Sequence, residues 1–296
     1  MDRWRIKGNE LRMKKPLIMG ILNVTPDSFY DGGRYLEIEK AIERGKEMER
    51  CGADIIDVGG ESSRPGSQPV SEKEEIERVL PVIKGLLNEV KIPISIDTYK
   101  SKVAEKALEE GASIVNDISA LRFDERMVDV VREYRAGVVL MHMKGKPSDM
   151  QKNPYYEDTV GEIYDFLKRR IEFCEENGIE RQQIVIDPGI GFGKRLIDNL
   201  LILKNLSQFL SLGRPILIGT SRKSFIGFLL NLPTEERLEG TIASVIISYL
   251  KGVSIFRVHD VKEIKNTIQK IREVEHEVDE ISDGIYTLIY QSNLSP

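Results

Sequence analysis

Short apolar runs, rich in β-branched residues, recur along the chain, and each breaks off at a polar or glycine-rich turn. They cover 17–24, 54–60, 93–98, 113–119, 137–142, 184–187, 215–220 and 253–258. A run of four to eight residues without polar alternation predicts a strand buried on both faces. The segments between them follow the helical period. After Ser71, the S-E-K-E capping box opens a helix whose Ile76, Val79, Leu80, Ile83, Leu86, Leu87 and Val90 share one face. The last helix is as regular, with Val261, Ile264, Ile268, Ile271, Val274 and Val278 forming a stripe among charged residues. Strand and helix alternate without a linker or a low-complexity tract, and right-handed crossovers of eight such units close a barrel. The expected fold is α/β, an eight-stranded parallel (β/α) TIM barrel in a single domain over residues 15–278. Residues 1–14 and 279–296 fall outside the pattern as short N- and C-terminal extensions. Their apolar patches leave two roles open, capping the barrel bottom or mediating contacts.

Composition narrows the picture. The chain has 296 residues, which accommodates one barrel of roughly 250 residues with extensions. Against 48 acidic residues stand 43 basic ones, a net charge of -5, which gives no electrostatic case for binding nucleic acid or an anionic membrane. No apolar run reaches the roughly 18 residues of a spanning helix, and the polar start lacks the apolar core of a signal peptide, so a cytoplasmic protein is expected. Cys51 and Cys174 have neither a Cys nor a His at ligand spacing and read as reduced thiols.

In a barrel of this kind the chemistry sits at the carboxyl ends of the strands. In chain order those ends carry Asn23, Asp57, Asp97, Asn116, His142, Asp187, Ser221 with Arg222 and Lys223, and Arg257 with His259. Singly each has an ordinary explanation; Ser221, for example, also suits a helix cap. Together they form a polar wall that core packing does not ask for. The wall has two halves. Asp97, Asn116 and Asp187 suit the donor-rich edge of an aminopyrimidine ring. Ser63, Arg64, Arg222, Lys223, Arg257 and His259 suit a polyanion, and barrel phosphate sites often lie after strands seven and eight. In the stretch I-V-I-D-P-G-I-G-F-G-K at 184–194, the glycines leave bare backbone for a flat ligand, with Phe192 and Lys194 offering a ring and a charge. Asn23 is an oxygen ligand able to hold Mg²⁺ together with phosphates and water. The residues alone point to a planar heterocycle joined to a phosphate or pyrophosphate.

The chain resembles the dihydropteroate synthase family over most of residues 16–275. The resemblance rests on M-G-I-L-N-V-T-P-D-S-F at 19–29, D-V-G-G-E-S-S-R-P-G at 57–66, I-D-T at 96–98, N-D-I-S at 116–119, L-M-H-M at 140–143, D-P-G-I-G-F-G-K at 187–194, G-T-S-R-K-S-F at 219–225 and R-V-H-D-V at 257–261. It implies a transferase of an alkyl group other than methyl. Such an enzyme condenses 6-hydroxymethyl-7,8-dihydropterin pyrophosphate with 4-aminobenzoate in the presence of Mg²⁺. It implies that Asp97, Asn116, Asp187 and Lys223 hold the pterin, that Arg257 and His259 hold pyrophosphate with help from the second loop, and that Asn23 meets the metal. Where the family often has Thr, Ser63 keeps the hydroxyl; Tyr30 and Lys144 also depart from common residues. Phe29, Pro65 and Phe192 are candidates for the apolar wall beside 4-aminobenzoate, while His142 and Met143 read equally well as core. Family members are commonly homodimers, and the apolar stretch 241–250 suits such a contact. Two rivals stay open. A corrinoid-type pterin methyltransferase would share the carboxylates but would not need the cationic half, and a non-catalytic pterin-binding barrel would have no need of intact loops.

Overall fold

The computed structural model describes residues 3–25, 33–63 and 66–292, with side chains for all of these except 33–35 and 279–292. Eight parallel strands form the barrel: β3 (Leu17–Asn23), β4 (Ile55–Gly59), β5 (Ile94–Asp97), β6 (Ile114–Asp117), β7 (Gly137–Met141), β8 (Ile184–Asp187), β9 (Leu217–Ile218) and β10 (Ile255–Val258). The sheet order is β8-β7-β6-β5-β4-β3-β10-β9, and a parallel bridge between Ile186 and Ile216 joins its two ends. All eight expected runs are strands. The seventh is the shortest, because Pro215 has no N–H for the ladder and contributes its carbonyl to Ile186 instead.

Around the barrel lie α1 (Gly33–Arg50), α2 (Glu72–Glu89), α3 (Ser101–Glu110), α4 (Met127–Glu133), α5 (Thr159–Glu176), α6 (Leu196–Lys204), α7 (Ser224–Leu230), α8 (Leu238–Tyr249) and α9 (Val261–Ser292). Ser71 caps α2 by accepting the Glu74 N–H at 3.2 Å. The buried face of α2 is Val79, Val82, Ile83 and Leu86, so Val82 joins it and Leu87 turns outward. In α9, Val261, Ile264 and Ile268 are buried whereas Val274 and Val278 are exposed. The helix continues past 278 without a break, so the expected division between barrel and tail does not mark the end of an element.

Strand periodicity turns this fold into a site. Side chains alternate between the helix-facing surface and the barrel interior, and the interior is layered. The lower layer is apolar, with Met19, Ile55, Ile114, Val139, Val185, Leu217 and Ile255 in one cluster. Two residues further along the same strands stand Asp57, Asn116, Asp187 and Arg257. One step of the strand period thus separates a dry core from a polar floor. The bottom is closed by the hairpin of β1 (Arg3–Ile6) and β2 (Asn9–Arg12), whose Trp4 and Ile6 pack into the lower layer. Trp4 Nε1 donates to the Gln183 carbonyl at 2.8 Å. Of the two roles left open for the N-terminal segment, the structure shows the cap.

Candidate active site

Strand register lines up Asn23, Gly59, Asp97 and Asn116 across β3 to β6. Beneath them lies Asp57, fully buried, which accepts Asn116 Nδ2 at 3.0 Å and Arg257 Nε at 2.6 Å. Arg257 reaches across the barrel and donates Nη2 to Asp97 at 2.6 Å. With its amide nitrogen committed to Asp57, Asn116 has its carbonyl oxygen available as an acceptor. At the end of β8, Asp187 Oδ1 accepts the Gly189 N–H at 2.7 Å. Lys223 stands close by, its ammonium bonded to the Ile190 carbonyl and 4.5 Å from the centre of the Phe192 ring.

Burial dominates the electrostatics. It raises the Asp97 carboxyl to about 7, with Arg257 acting in the opposite direction. Burial likewise raises Asp117 to about 6, even though the carboxylate accepts the Ser119 and Leu121 N–H groups. Asp187 is raised by burial and drawn back by Lys223. Lys223 is pushed down to about 8 by the same desolvation, against the pull of Asp187. Burial also works against the charge on Arg257, but Asp57 and Asp97 outweigh it and keep the guanidinium firmly protonated. The floor therefore holds three carboxylates and an amide around two cations, with little water to screen them.

On the other side, His259 Nδ1 lies 3.0 Å from Ser221 Oγ, and that hydroxyl also accepts the His259 N–H at 3.2 Å. Ser221 thus fixes the imidazole and does not cap α7, where Lys223 occupies the cap position. Ser63 is half-buried at the start of the loop after β4. Phe29, Arg64 and Pro65 lie outside the described residues. Phe192 packs against an upper apolar cluster of Ile118, Met141, Met143 and Met150. Met143 is therefore core, on the site's own edge.

Two expected ligand groups are engaged elsewhere. Arg222 has positive φ, its N–H is held by the Thr241 hydroxyl, and its guanidinium grips Asp260 through bonds of 2.6 and 2.8 Å. That fork-to-fork pair engages its guanidinium within the protein. Lys194 is only 3 % exposed, and its ammonium contacts His142 Nδ1 at 2.9 Å and the Phe192 carbonyl at 3.0 Å. It anchors the loop from within and offers no charge to the mouth. Asp57, in turn, was legible only as one strand end among eight. Its role beside Asn116 and Arg257 depends on partners from other strands, which a single strand does not reveal.

The space between Asn23 Oδ1 and Asp97 Oδ2 is kept open by Gly59, where a Cβ would lie 3.9 Å from the first and 3.6 Å from the second. Among the described residues no group of three or more His, Cys, Asp or Glu side chains is arranged to hold a metal ion. A cation here would have one or two protein oxygens and would take the rest from a ligand and water. That donor set fits Mg²⁺, which dehydrates reluctantly and accepts few protein ligands.

The fold and floor define a parallel-barrel enzyme for a flat, donor-rich ring carrying an anionic group. A family model described as pterin binding enzyme matches residues 19–259. Dihydropteroate synthase of Bacillus subtilis (strain 168) is 48% identical over 251 residues, covering 85% of this chain and 86% of the relative. The crystal structure of Xanthomonas albilineans dihydropteroate synthase with 4-aminobenzoic acid superposes with a TM-score of 0.87 at 40% identity, covering 93% of this chain and 98% of that one. A structure of the enzyme from the same organism in complex with 7,8-dihydropteroate gives a TM-score of 0.84 at 38% identity, covering 92% and 98%. The chain belongs to the dihydropteroate synthase family of pterin-binding enzymes.

Proposed function

We infer that the protein condenses 6-hydroxymethyl-7,8-dihydropterin pyrophosphate with 4-aminobenzoate, yielding 7,8-dihydropteroate and pyrophosphate in folate synthesis. The observation that carries this reading is the acceptor set of buried Asn116 and Asp187 and nearly buried Asp97 beside Lys223, with Arg257, two residues before His259, reaching over to Asp97. Family membership and the neighbours bound to 4-aminobenzoic acid and 7,8-dihydropteroate support it.

The chemistry follows from charge. Asp187 and Asp97 accept the amine and ring N–H donors of the pterin, and the Asn116 carbonyl accepts a further one. The bond from the exocyclic methylene to the pyrophosphate oxygen breaks, and both electrons leave with the phosphate. Positive charge then spreads into an electron-rich ring lying over carboxylates, so the reaction is dissociative and needs no covalent nucleophile. The amine nitrogen of 4-aminobenzoate bonds to the methylene and releases a proton. Arg257, which gives one N–H to Asp57 and one to Asp97 and has further N–H groups, acts with His259 and Ser63 on the leaving group. Each such preorganised contact is worth ~2.7–4 kcal/mol of barrier. When bound, Mg²⁺ would be held by Asn23 and would supply additional neutralisation of negative charge on the leaving group. Phe192 and the apolar cluster beside it support one face of the second substrate.

The protein acts as a homodimer in this reading. Exposed Phe228 and Leu230 of α7 and Ile247 of α8 present apolar area suited to a second copy. Among the described residues no helix is long and apolar enough to cross a membrane, which agrees with work in the cytoplasm. The decisive experiment measures pyrophosphate release by purified protein supplied with both substrates, with and without Mg²⁺. Release that depends on 4-aminobenzoate supports the reading. Methyl transfer from a methylated folate without pyrophosphate release would replace it with the corrinoid-type reaction.

A further inference from the structure

Just beyond β6, two consecutive residues that lack the freedom of glycine take the left-handed conformation, Ala120 at φ +54° and Leu121 at φ +61°. A Cβ disfavours that region, and such a pair persists only where its surroundings enforce it. Both residues are buried. The enforcement starts at Asp117. Strand alternation turns Asn116 into the barrel and Asp117 outward among the helices, away from the polar floor. Fully buried there, Asp117 accepts the Ser119 N–H on Oδ1 at 2.7 Å and the Leu121 N–H on Oδ2 at 2.9 Å. Its backbone carbonyl accepts the Ala120 N–H at 3.1 Å. From α5, Arg170 donates Nε to the Ala120 carbonyl at 2.8 Å and Nη2 to the Leu121 carbonyl at 3.4 Å. All four backbone polar groups of the two strained residues are thereby tied down, two of them by a carboxylate and a guanidinium that sit outside the ring site.

The turn shapes the rim of the site on both of its flanks. Before it, Ile118 packs with Met141, Met143 and Met150 in the upper apolar cluster against which Phe192 rests. After it, Arg122 crosses to the next loop, giving Nε to the Ser119 carbonyl at 2.8 Å and Nη2 to the Met143 carbonyl at 3.0 Å. The Phe192 ring in turn lies 4.5 Å from the Lys223 ammonium, so the rim borders the polar floor directly. We propose that Asp117 is a positioning residue for the pterin: with Arg170 it holds a backbone turn that relaxes without them, and the turn sets Ile118 and Met143 at the edge of the ring site. A molecule with the turn relaxed is not competent to bind, and apparent affinity falls with the competent fraction. The identity of the ligand rests on the reading under Proposed function, whereas the enforced turn does not.

The test uses glycine, the residue that adopts the left-handed region without strain. Binding of the pterin substrate is measured by calorimetry without 4-aminobenzoate. Asp117→Asn keeps the side-chain shape but sets a donor against one of the two N–H groups, and should weaken binding about tenfold. Ala120→Gly alone should stay within about twofold of wild type, because the turn is already enforced. Asp117→Asn combined with Ala120→Gly should return to within about threefold of wild type. Undiminished affinity in a folded Asp117→Asn protein overturns the proposal. A loss that Ala120→Gly leaves in place does so too, since the carboxylate's charge and not the turn would then be responsible. Should Asp117→Asn fail to fold, Arg170→Met withdraws the two carbonyl bonds and is read in the same way, alone and with Ala120→Gly. If wild-type protein binds no pterin, the ligand assignment has failed and thermal unfolding decides on the turn: Ala120→Gly should restore most of the Tm lost in Asp117→Asn, and no restoration overturns the enforced turn as well.

Discussion

Asp187 shows how a single side chain at a strand end commits the site to one ligand chemistry. Ionised, it is acceptor-only, and one oxygen is already taken by the Gly189 N–H. Asp187→Asn places an amide donor where a donor edge must dock. Affinity for the pterin substrate should fall by ~1.5–3 kcal/mol, the scale of a hydrogen bond to a charged group. Calorimetry on a folded variant checks this, and undiminished binding would remove Asp187 from the ring site. Asp97 adds a pH dependence whose two signs are opposite. Its carboxyl is raised from 3.8 to about 7 in the folded protein, so the fold retains a proton that the unfolded chain gives up. The unliganded protein should therefore lose stability as pH rises from about 4 through about 7. Pterin binding needs the carboxylate and should strengthen over the same interval. Thermal unfolding with and without the pterin ligand, from about pH 5 to about pH 8, should show the ligand-induced rise in Tm growing as the unliganded Tm declines.

Among the elements, the loop from β8 to α6 is the most tightly constrained. Gly189 has φ +72°, and a Cβ there would sit 1.9 Å from the His142 carbonyl oxygen, which is backbone and cannot yield. Gly66 in the β4–α2 loop has φ +81° but open space around it. Gly189→Ala should lift the loop bearing Phe192 and reduce kcat/KM by about a hundredfold. Gly66→Ala should cost only its backbone strain, roughly 1–2 kcal/mol of stability. Steady-state kinetics on the pair separates close approach from dihedral preference. Both positions look alike in the sequence, which marks the limit of what could be read there. The strands were legible because doubly buried runs need no partner to be recognised, and strand ends follow from them. Orientation was not: Arg222 turns away because Asp260 lies across from it, and Lys194 goes inward because His142 and two carbonyls accept it. Apart from the Phe192 carbonyl, these partners come from other units of the barrel and leave no local signature. The stripe of α9 is a third case. Its period predicted the helix correctly, but periodicity alone does not show that Val274 and Val278 lie on exposed surface.

For the molecule as a whole, the proposed division of labour makes the order of binding visible. If 4-aminobenzoate binds a site assembled around pyrophosphate, its affinity should rise at least about tenfold when pyrophosphate and Mg²⁺ are present. Arg257→Ala should abolish that gain by weakening a ligand the residue need not touch. Titration of 4-aminobenzoate in both conditions checks the coupling, and equal affinities would mean the second site is preformed. Assembly gives a separate test. Phe228, 75% exposed, and Leu250, 65% exposed, should be covered in a dimer, so Phe228→Glu with Leu250→Glu should shift sedimentation to a single-chain species.

The hairpin beneath the barrel carries the chain's sole tryptophan. Trp4 is sealed in the apolar lower layer, with its indole N–H bonded just before the strand that ends in Asp187. Its fluorescence should accordingly be blue-shifted, resistant to soluble quenchers and indifferent to ligands bound above the polar floor. Emission at the barrel bottom becomes an internal gauge of global unfolding, recorded in the same sample in which ligands occupy the mouth.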